Sequence, residues 1–373
     1  MLDVWVAGAA MTRVGKRTER LQDLMAEAAH GALRAAGVEV PDAIVVAAMN
    51  PEEFLGDGNF ASNAASHLGF AQAPALRVET ATSSGAAAFY AGFGLVAAGL
   101  RRAVLVVGGE KMTHLDTPRV SELISRSIDP YERSYGATMP ALAGLVTRAL
   151  MANGVGAREL AQVAVKNHAN GLQNPLAHFR HAVTLDEVLE SRMVADPLRL
   201  LHCCPISDGA AAVVLTARRA AVRVAGIGQG SDTLALRHRA ALTSFKATQA
   251  AAREAFAMAG FGPERVDVAE IHDAFTPFEL ISLEDTGLVP PGKAGRATLD
   301  GETALHGRLP VNPSGGLKAR GHPLAATGLA QIVECVWQVT GRAEGRQTQA
   351  RVALAHSIGG LATNNWVTLL TAA

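Results

Sequence analysis

The stretch Asn312-Pro-Ser-Gly-Gly-Leu-Lys-Ala-Arg-Gly-His322-Pro-Leu-Ala-Ala-Thr-Gly328 sets one histidine in a glycine-punctuated turn, just before the apolar run 329–339. The run reads as a buried helix. Gly315, Gly316 and Gly321 permit a sharp turn and close backbone approach to a ligand. Pro323 fits a first helical turn, where a missing N–H has no partner to lose. The reading therefore expects His322 at a helix N-terminus, where the dipole favours a developing oxyanion.

This block resembles the C-terminal signature of the thiolase superfamily, whose Gly-His-Pro histidine helps form an oxyanion hole for a thioester carbonyl. Three further stretches are similar to that family. Ile271-His272-Asp273-Ala274-Phe275 resembles the His-Asp-Cys-Phe motif of the sterol-carrier-protein-type thiolases. Cys204-Pro-Ile-Ser-Asp208-Gly-Ala-Ala-Ala-Val-Val-Leu215 resembles the strand closing the N-terminal half, and His356-Ser-Ile-Gly-Gly360 resembles a His-Asn-Ile-Gly-Gly loop. Lys166-Asn-His-Ala-Asn170 and Asn174-Pro-Leu-Ala-His-Phe-Arg180 also fit this subgroup. The resemblance spans residues 4–370. It implies duplicated βαβαβαββ halves in a five-layer α-β-α-β-α sandwich, residues 1–222 and 223–373, with a loop domain at about 113–200.

One departure bears on mechanism. Val78-Glu-Thr-Ala-Thr82-Ser-Ser-Gly85 aligns with the strand-to-helix elbow that carries the family's nucleophilic cysteine, and that position is Thr82. The two alternative positions of the second thiolase cysteine are Ala274 and Ser357. A free thiol with a pKa of about 8.5 readily becomes a thiolate. A threonine hydroxyl is less acidic and stiff about χ1, and it needs a well-placed base. Thr82 is thus read either as a diminished nucleophile or as a helix cap that contacts ligand.

The resemblance implies catalytic roles for His322, His272, His356 and Thr82. It implies substrate contacts from Ser83, Tyr131, Tyr135, Met139, Asn312, Ser357 and Gly360. Asp273 is read as either orienting His272 or capping the next segment. The implied substrate is a coenzyme A thioester, with no bound cofactor and no metal. The implied assembly is a homodimer or dimer of dimers, with a small OB-fold partner subunit.

Composition narrows the alternatives. The 373 residues are 49% hydrophobic but only 5% aromatic, so the core must rest on Ala, Val and Leu. A formal net charge of zero argues against nucleic acid or a membrane surface as the main partner. Cys203, Cys204 and Cys335 lack disulfide or zinc spacing and point to a reducing compartment. The adjacent pair reads as small core residues at a strand start. With no basic leader and no apolar run of about 18 residues, the expected location is the cytoplasm.

The chain's two halves echo each other. The run 76–79, a helix at 83–99 and a strand at 103–107 match the run 310–312, a helix at 323–340 and a strand at 351–355. Such units favour a parallel sheet with right-handed crossovers. Helices at 18–36 and 244–260 read as amphipathic outer layers, and one at 141–153 interrupts the irregular excursion. The resemblance implies three functions. The leading one is a thiolase-type acyl-CoA acyltransferase that makes or breaks a carbon–carbon bond with Thr82 or Ser83 in a diminished or altered nucleophilic role. The others are a retro-aldolase on a β-hydroxyacyl-CoA and a non-catalytic acyl-CoA-binding subunit. Retention of three motif histidines argues against the third.

Overall fold

Runs too apolar to face water on either side become the central strands. Ala43–Ala47 and Val352–Gly359 are buried at every position, as a sheet covered on both faces requires. The computed structural model describes residues 2–373. Its principal strands are β1 Trp5–Met11, β2 Ala43–Ala47, β3 Ala75–Val78, β4 Ala103–Glu110, β5 Gly209–Thr216, β6 Val222–Ser231, β7 Val268–Glu270, β8 Val352–Gly359 and β9 Asn364–Ala372. They are hydrogen-bonded in the order β3-β2-β4-β5-β1-β6-β9-β8-β7.

The series divides where β1 meets β6 through only the pairs Trp5–Arg223 and Val6–Val222. Each side then repeats one plan. In the first half β2 lies parallel to both β3 and β4, while β5 runs antiparallel between β4 and β1. In the second half β7 lies parallel to β8 and to a single bridge, Ala269–Val311, while β9 runs antiparallel between β8 and β6. The expected strand at 310–312 is reduced to that bridge. Pro310 and Pro313 flank it, and neither can donate to a ladder.

Four helices complete the layers. α1 Leu21–Ala36 packs on β1 and β5, and α3 Lys246–Ala259 packs on β6 and β9. Between the sheets lie α2 Ser84–Ala97 and α4 Thr327–Val339. This is the thiolase-type five-layer sandwich. The two inner helices cross backbone against backbone at their first turns, since a Cβ on Gly328 would come 2.6 Å from the Ala86 nitrogen.

The helix expected at 323–340 begins later. Pro323 sits at ψ 78°, outside the helical region, and a 3₁₀ turn at Leu324–Ala326 intervenes before Thr327. His322 therefore precedes the helix by five residues and does not sit on its dipole. The excursion holds short helices opened by polar caps, where Asp116, Asp129, Thr138 and Thr184 each accept from the following turn's N–H groups. Among the described residues, no helix is long and apolar enough to cross a membrane.

Candidate active site

Buried ionic groups fix the loops that end β7 and follow the Val311 bridge. Asn312, left-handed at φ 54°, accepts from the Ile271 N–H at 2.8 Å and donates to Glu279 Oε2 at 2.7 Å. Glu279 also accepts from Asn167 at 2.8 Å and lies 3.0 Å from Lys166 Nζ. Asp273 accepts from the Leu317 and Lys318 N–H groups at 2.6 and 3.2 Å. It therefore caps the Gly316–Ala319 turn, and not the helix Thr276–Asp285 that follows it, so neither of its two sequence readings describes its role. Glu270 pairs with Arg320 at 3.2 Å and accepts from Ser314. Such buried pairs hold geometry more than they add stability.

That frame places two imidazoles edge to face, with centroids 5.1 Å apart. They belong to His272 and His322. Nδ1 of His272 accepts from the Ile358 N–H at 3.2 Å, so its ring proton resides on Nε2. Nδ1 of His322 shares a 2.7 Å hydrogen bond with the Thr327 hydroxyl. With that hydroxyl donating, His322 also carries its proton on Nε2. Burial, followed by neighbouring positive groups, pushes His272 well below the usual histidine range and His322 down to about 3. Both imidazoles are therefore neutral near pH 7.

Both rings line a cavity of about 220 Å³ together with Thr82, Met139 and Gly360. Its remaining wall is mostly apolar, with Val120, Ile124, Phe275 and Phe278 contributing. The left-handed conformation of Ala81, φ 55°, turns the end of the elbow into α2 and delivers Thr82 to the cavity. The Thr82 hydroxyl donates to the Ile358 carbonyl at 2.7 Å. One residue, Ile358, thus anchors Thr82 through its C=O and His272 through its N–H.

Other candidates lie apart from this cavity. The pleat of β8 turns His356 toward α3, where Nε2 meets the Thr248 hydroxyl at 3.0 Å. Burial holds His356 near a pKa of about 3. Ser357 points the opposite way and is buried between the sheets, and Ser83 is bonded to Thr80 at 2.9 Å. Asn312 has its amide engaged in the scaffold. Tyr131 and Tyr135 stack on each other at the surface, with Arg237 over the Tyr131 ring. Period-two alternation and surface exposure separate these residues from motifs that adjoin them in sequence.

Two residues assigned to the core by sequence stand at the cavity instead. Cys203 and Cys204 both line it. Their segment is gripped on both sides, since Cys203 bridges Phe275 and Ile206 bridges His322. Adjacent cysteines carry no local signal for this placement, because long-range strand pairing creates it. Among the described residues no group of His, Cys, Asp and Glu has metal-holding geometry.

Comparison with known proteins agrees with this architecture. Residues 4–219 match the thiolase N-terminal domain, and residues 228–372 match the thiolase C-terminal domain-like family. The chain is 42% identical to an acetyl-CoA acetyltransferase of Methanothermobacter thermautotrophicus, covering 96% of this chain and 97% of the relative. It is 34% identical to sterol carrier protein 2 of Rattus norvegicus, covering 95% of this chain and 70% of the relative. The solved structure of an Ltp2-ChsH2(DUF35) aldolase shares the fold at a TM-score of 0.84 and 23% identity, covering 99% of this chain and 98% of that one. With both family domains matched in order and the five-layer sandwich in place, this chain belongs to the thiolase superfamily, a family of enzymes acting on coenzyme A thioesters.

Proposed function

We propose that this thiolase-family protein makes or breaks a carbon–carbon bond beside a CoA thioester through an enolate, by aldol-type chemistry without an acyl-enzyme. The reading rests on the paired neutral imidazoles. Each is anchored through Nδ1, leaving two Nε2–H donors for one thioester or enolate oxygen in an apolar cavity. Donors fixed in advance where charge develops are the largest common source of rate enhancement.

Retro-aldol cleavage of a β-hydroxyacyl-CoA needs that oxyanion site and a proton route. It needs no covalent intermediate. Thr82 stands where the family motif carries its nucleophilic cysteine, but its hydroxyl is donated to a backbone carbonyl. A hydroxyl nucleophile requires a base that accepts its proton, and the Ile358 carbonyl is not one. We assign Thr82 to positioning. An aldolase has this same fold, so the scaffold accommodates such chemistry.

The test is product analysis with β-hydroxyacyl-CoAs, and separately with β-ketoacyl-CoA plus free CoA. Aldehyde or ketone release from the first supports the proposal. Efficient thiolysis of the second, with an acyl adduct on Thr82 by mass spectrometry, refutes it. Thr82→Ala is expected to lower kcat/KM by less than about ten-fold, compared with the far larger loss expected on removing a nucleophile.

The proposal extends to assembly. The outer edge of the first sheet is β3, which among the described residues leaves one side of a strand without a ladder partner, and Leu76 on it is 42% exposed. Such an edge is a template for a second copy. The neighbouring aldolase was solved with a DUF35 partner, and a small second subunit is proposed here by analogy.

A further inference from the structure

Retro-aldol cleavage, the reading on which this inference rests, relocates one proton. The β-hydroxyl O–H and the Cα–Cβ bond break, while a C=O bond and a Cα–H bond form. Some group in the cavity must give a proton to carbon as the β-hydroxyl gives one up.

The cavity's own side chains leave few choices. His272 and His322 present N–H groups to oxygen, and Thr82 donates to the Ile358 carbonyl. Thr117 and Ser121 carry ordinary alcohols, which are weaker acids than a thiol. The Cys203 thiol donates to the Arg199 carbonyl at 3.5 Å. Cys204 remains. Among the described residues its thiol makes no hydrogen bond, and it lines the cavity.

Strand register fixes where that thiol stands. Cys203 pairs with Phe275 in an antiparallel bridge, and the Cys204 N–H donates to the Ala274 carbonyl at 2.9 Å. Cys204 and Ala274 are therefore directly opposed, and their side chains share one face of the ribbon. Both line the cavity. The 203–206 segment lies between the segments that carry His272 and His322, bridged to Phe275 on one side and to His322 on the other. A thiol from residue 204 thus occupies the face that position 274, here only a methyl, presents to substrate.

We propose that Cys204 is the proton carrier at the substrate's α-carbon. Its S–H delivers a proton to carbon as the enolate collapses to the thioester. The proton shed by the β-hydroxyl, as that carbon becomes a carbonyl, returns to sulfur directly or through solvent, so the thiol ends as it began. Burial pushes the Cys204 thiol up to about 12. It therefore stays protonated at neutral pH, which suits a donor to carbon and disfavours a nucleophilic thiolate.

The experiment is deuterium wash-in at the α-carbon of propionyl-CoA in D₂O, read by mass spectrometry on the full chain. It runs the protonation step backwards, which draws on the small thiolate fraction, so the exchange rate is expected to climb as the solution is made more alkaline toward about 12. The wild-type protein is expected to exchange, and Cys204→Ala to lose about 100-fold or more while keeping its melting temperature and propionyl-CoA binding. Ala274→Cys in that background restores a thiol to the same face and is expected to recover at least about ten-fold. A merely structural role for Cys204 predicts no such rescue. Undiminished exchange in Cys204→Ala overturns the proposal, as does a folded double variant without recovery. An acyl adduct on Cys204 that forms and decays at the turnover rate also overturns it, by making the thiol a nucleophile. Should Cys204→Ala fail to fold, Cys204→Ser, closer in volume, carries the same comparison. A wild-type protein that exchanges nothing even in alkaline solution removes the enolate reading itself, an outcome distinct from loss in the variant alone.

Discussion

An imidazole serves an enolate oxygen best when it is neutral and anchored at one nitrogen, and residue-scale contacts give His272 and His322 that form. His322→Ala and His272→Ala should each keep the fold while turnover falls about 100- to 1,000-fold. Unchanged turnover in either variant would remove its assigned role. Because burial holds His322 near 3, the rate profile should show no limb from its ionisation between pH 5 and 8. Glu110 gives a second pH test, this time of stability. Its carboxyl accepts from the Met49 and Ala325 N–H groups, tying β2 to the turn before α4. Burial, the largest influence, raises it to about 8 from an ordinary value of 4.5. Between these values the folded protein keeps a proton that the unfolded chain loses, so stability falls as pH rises through that window and levels off above it. Glu110→Gln should therefore gain melting temperature over the wild type progressively from pH 4.5 to 8. A difference that stays flat with pH would contradict the assignment.

At the scale of elements, composition was most readable where a helix or strand is buried on all sides. α2 has almost no polar face, so it needs cover on most of its sides. The sandwich supplies most of that cover within one chain, because α2 lies between two sheets and against α4, and it leaves Tyr90 37% exposed. The close approach of these helices makes a sharp prediction. Gly328→Ala places a methyl 2.6 Å from the Ala86 nitrogen, where neither backbone can yield cheaply. A loss of about 1–3 kcal/mol is expected in denaturant titration, the usual cost of overpacking. A neutral result would mean that the crossing is loose. The short capped helices of the excursion, Thr117–Ser125, Pro130–Ser134 and Leu185–Glu190, were hard to read for the opposite reason. Their signal lies in single cap oxygens and not in a sustained apolar period.

For the whole molecule, the repeated strand order makes each half a copy of one plan, and the candidate cavity draws on both. Sedimentation at micromolar concentration should give about twice the 38.7 kDa chain mass if β3 pairs with its twin. A species of single-chain mass alone would rule out the dimer. Family and fold were legible from residues close together in the chain. Glycines around His322, the His272 motif and the small-residue runs of α2 and α4 each state a local backbone or packing need, which neighbouring residues express. The cavity's membership was not local. In a strand, side chains alternate faces, so a shift of one residue exchanges what is inside for what is outside. His356, inside β8, turns to α3, while its motif neighbour Gly360 lies past the strand's end and reaches the cavity, and Cys204, silent in sequence, stands opposite Ala274. The Cys204 placement follows from pairing between segments 70 residues apart, and such pairing exists only once the sheets have assembled.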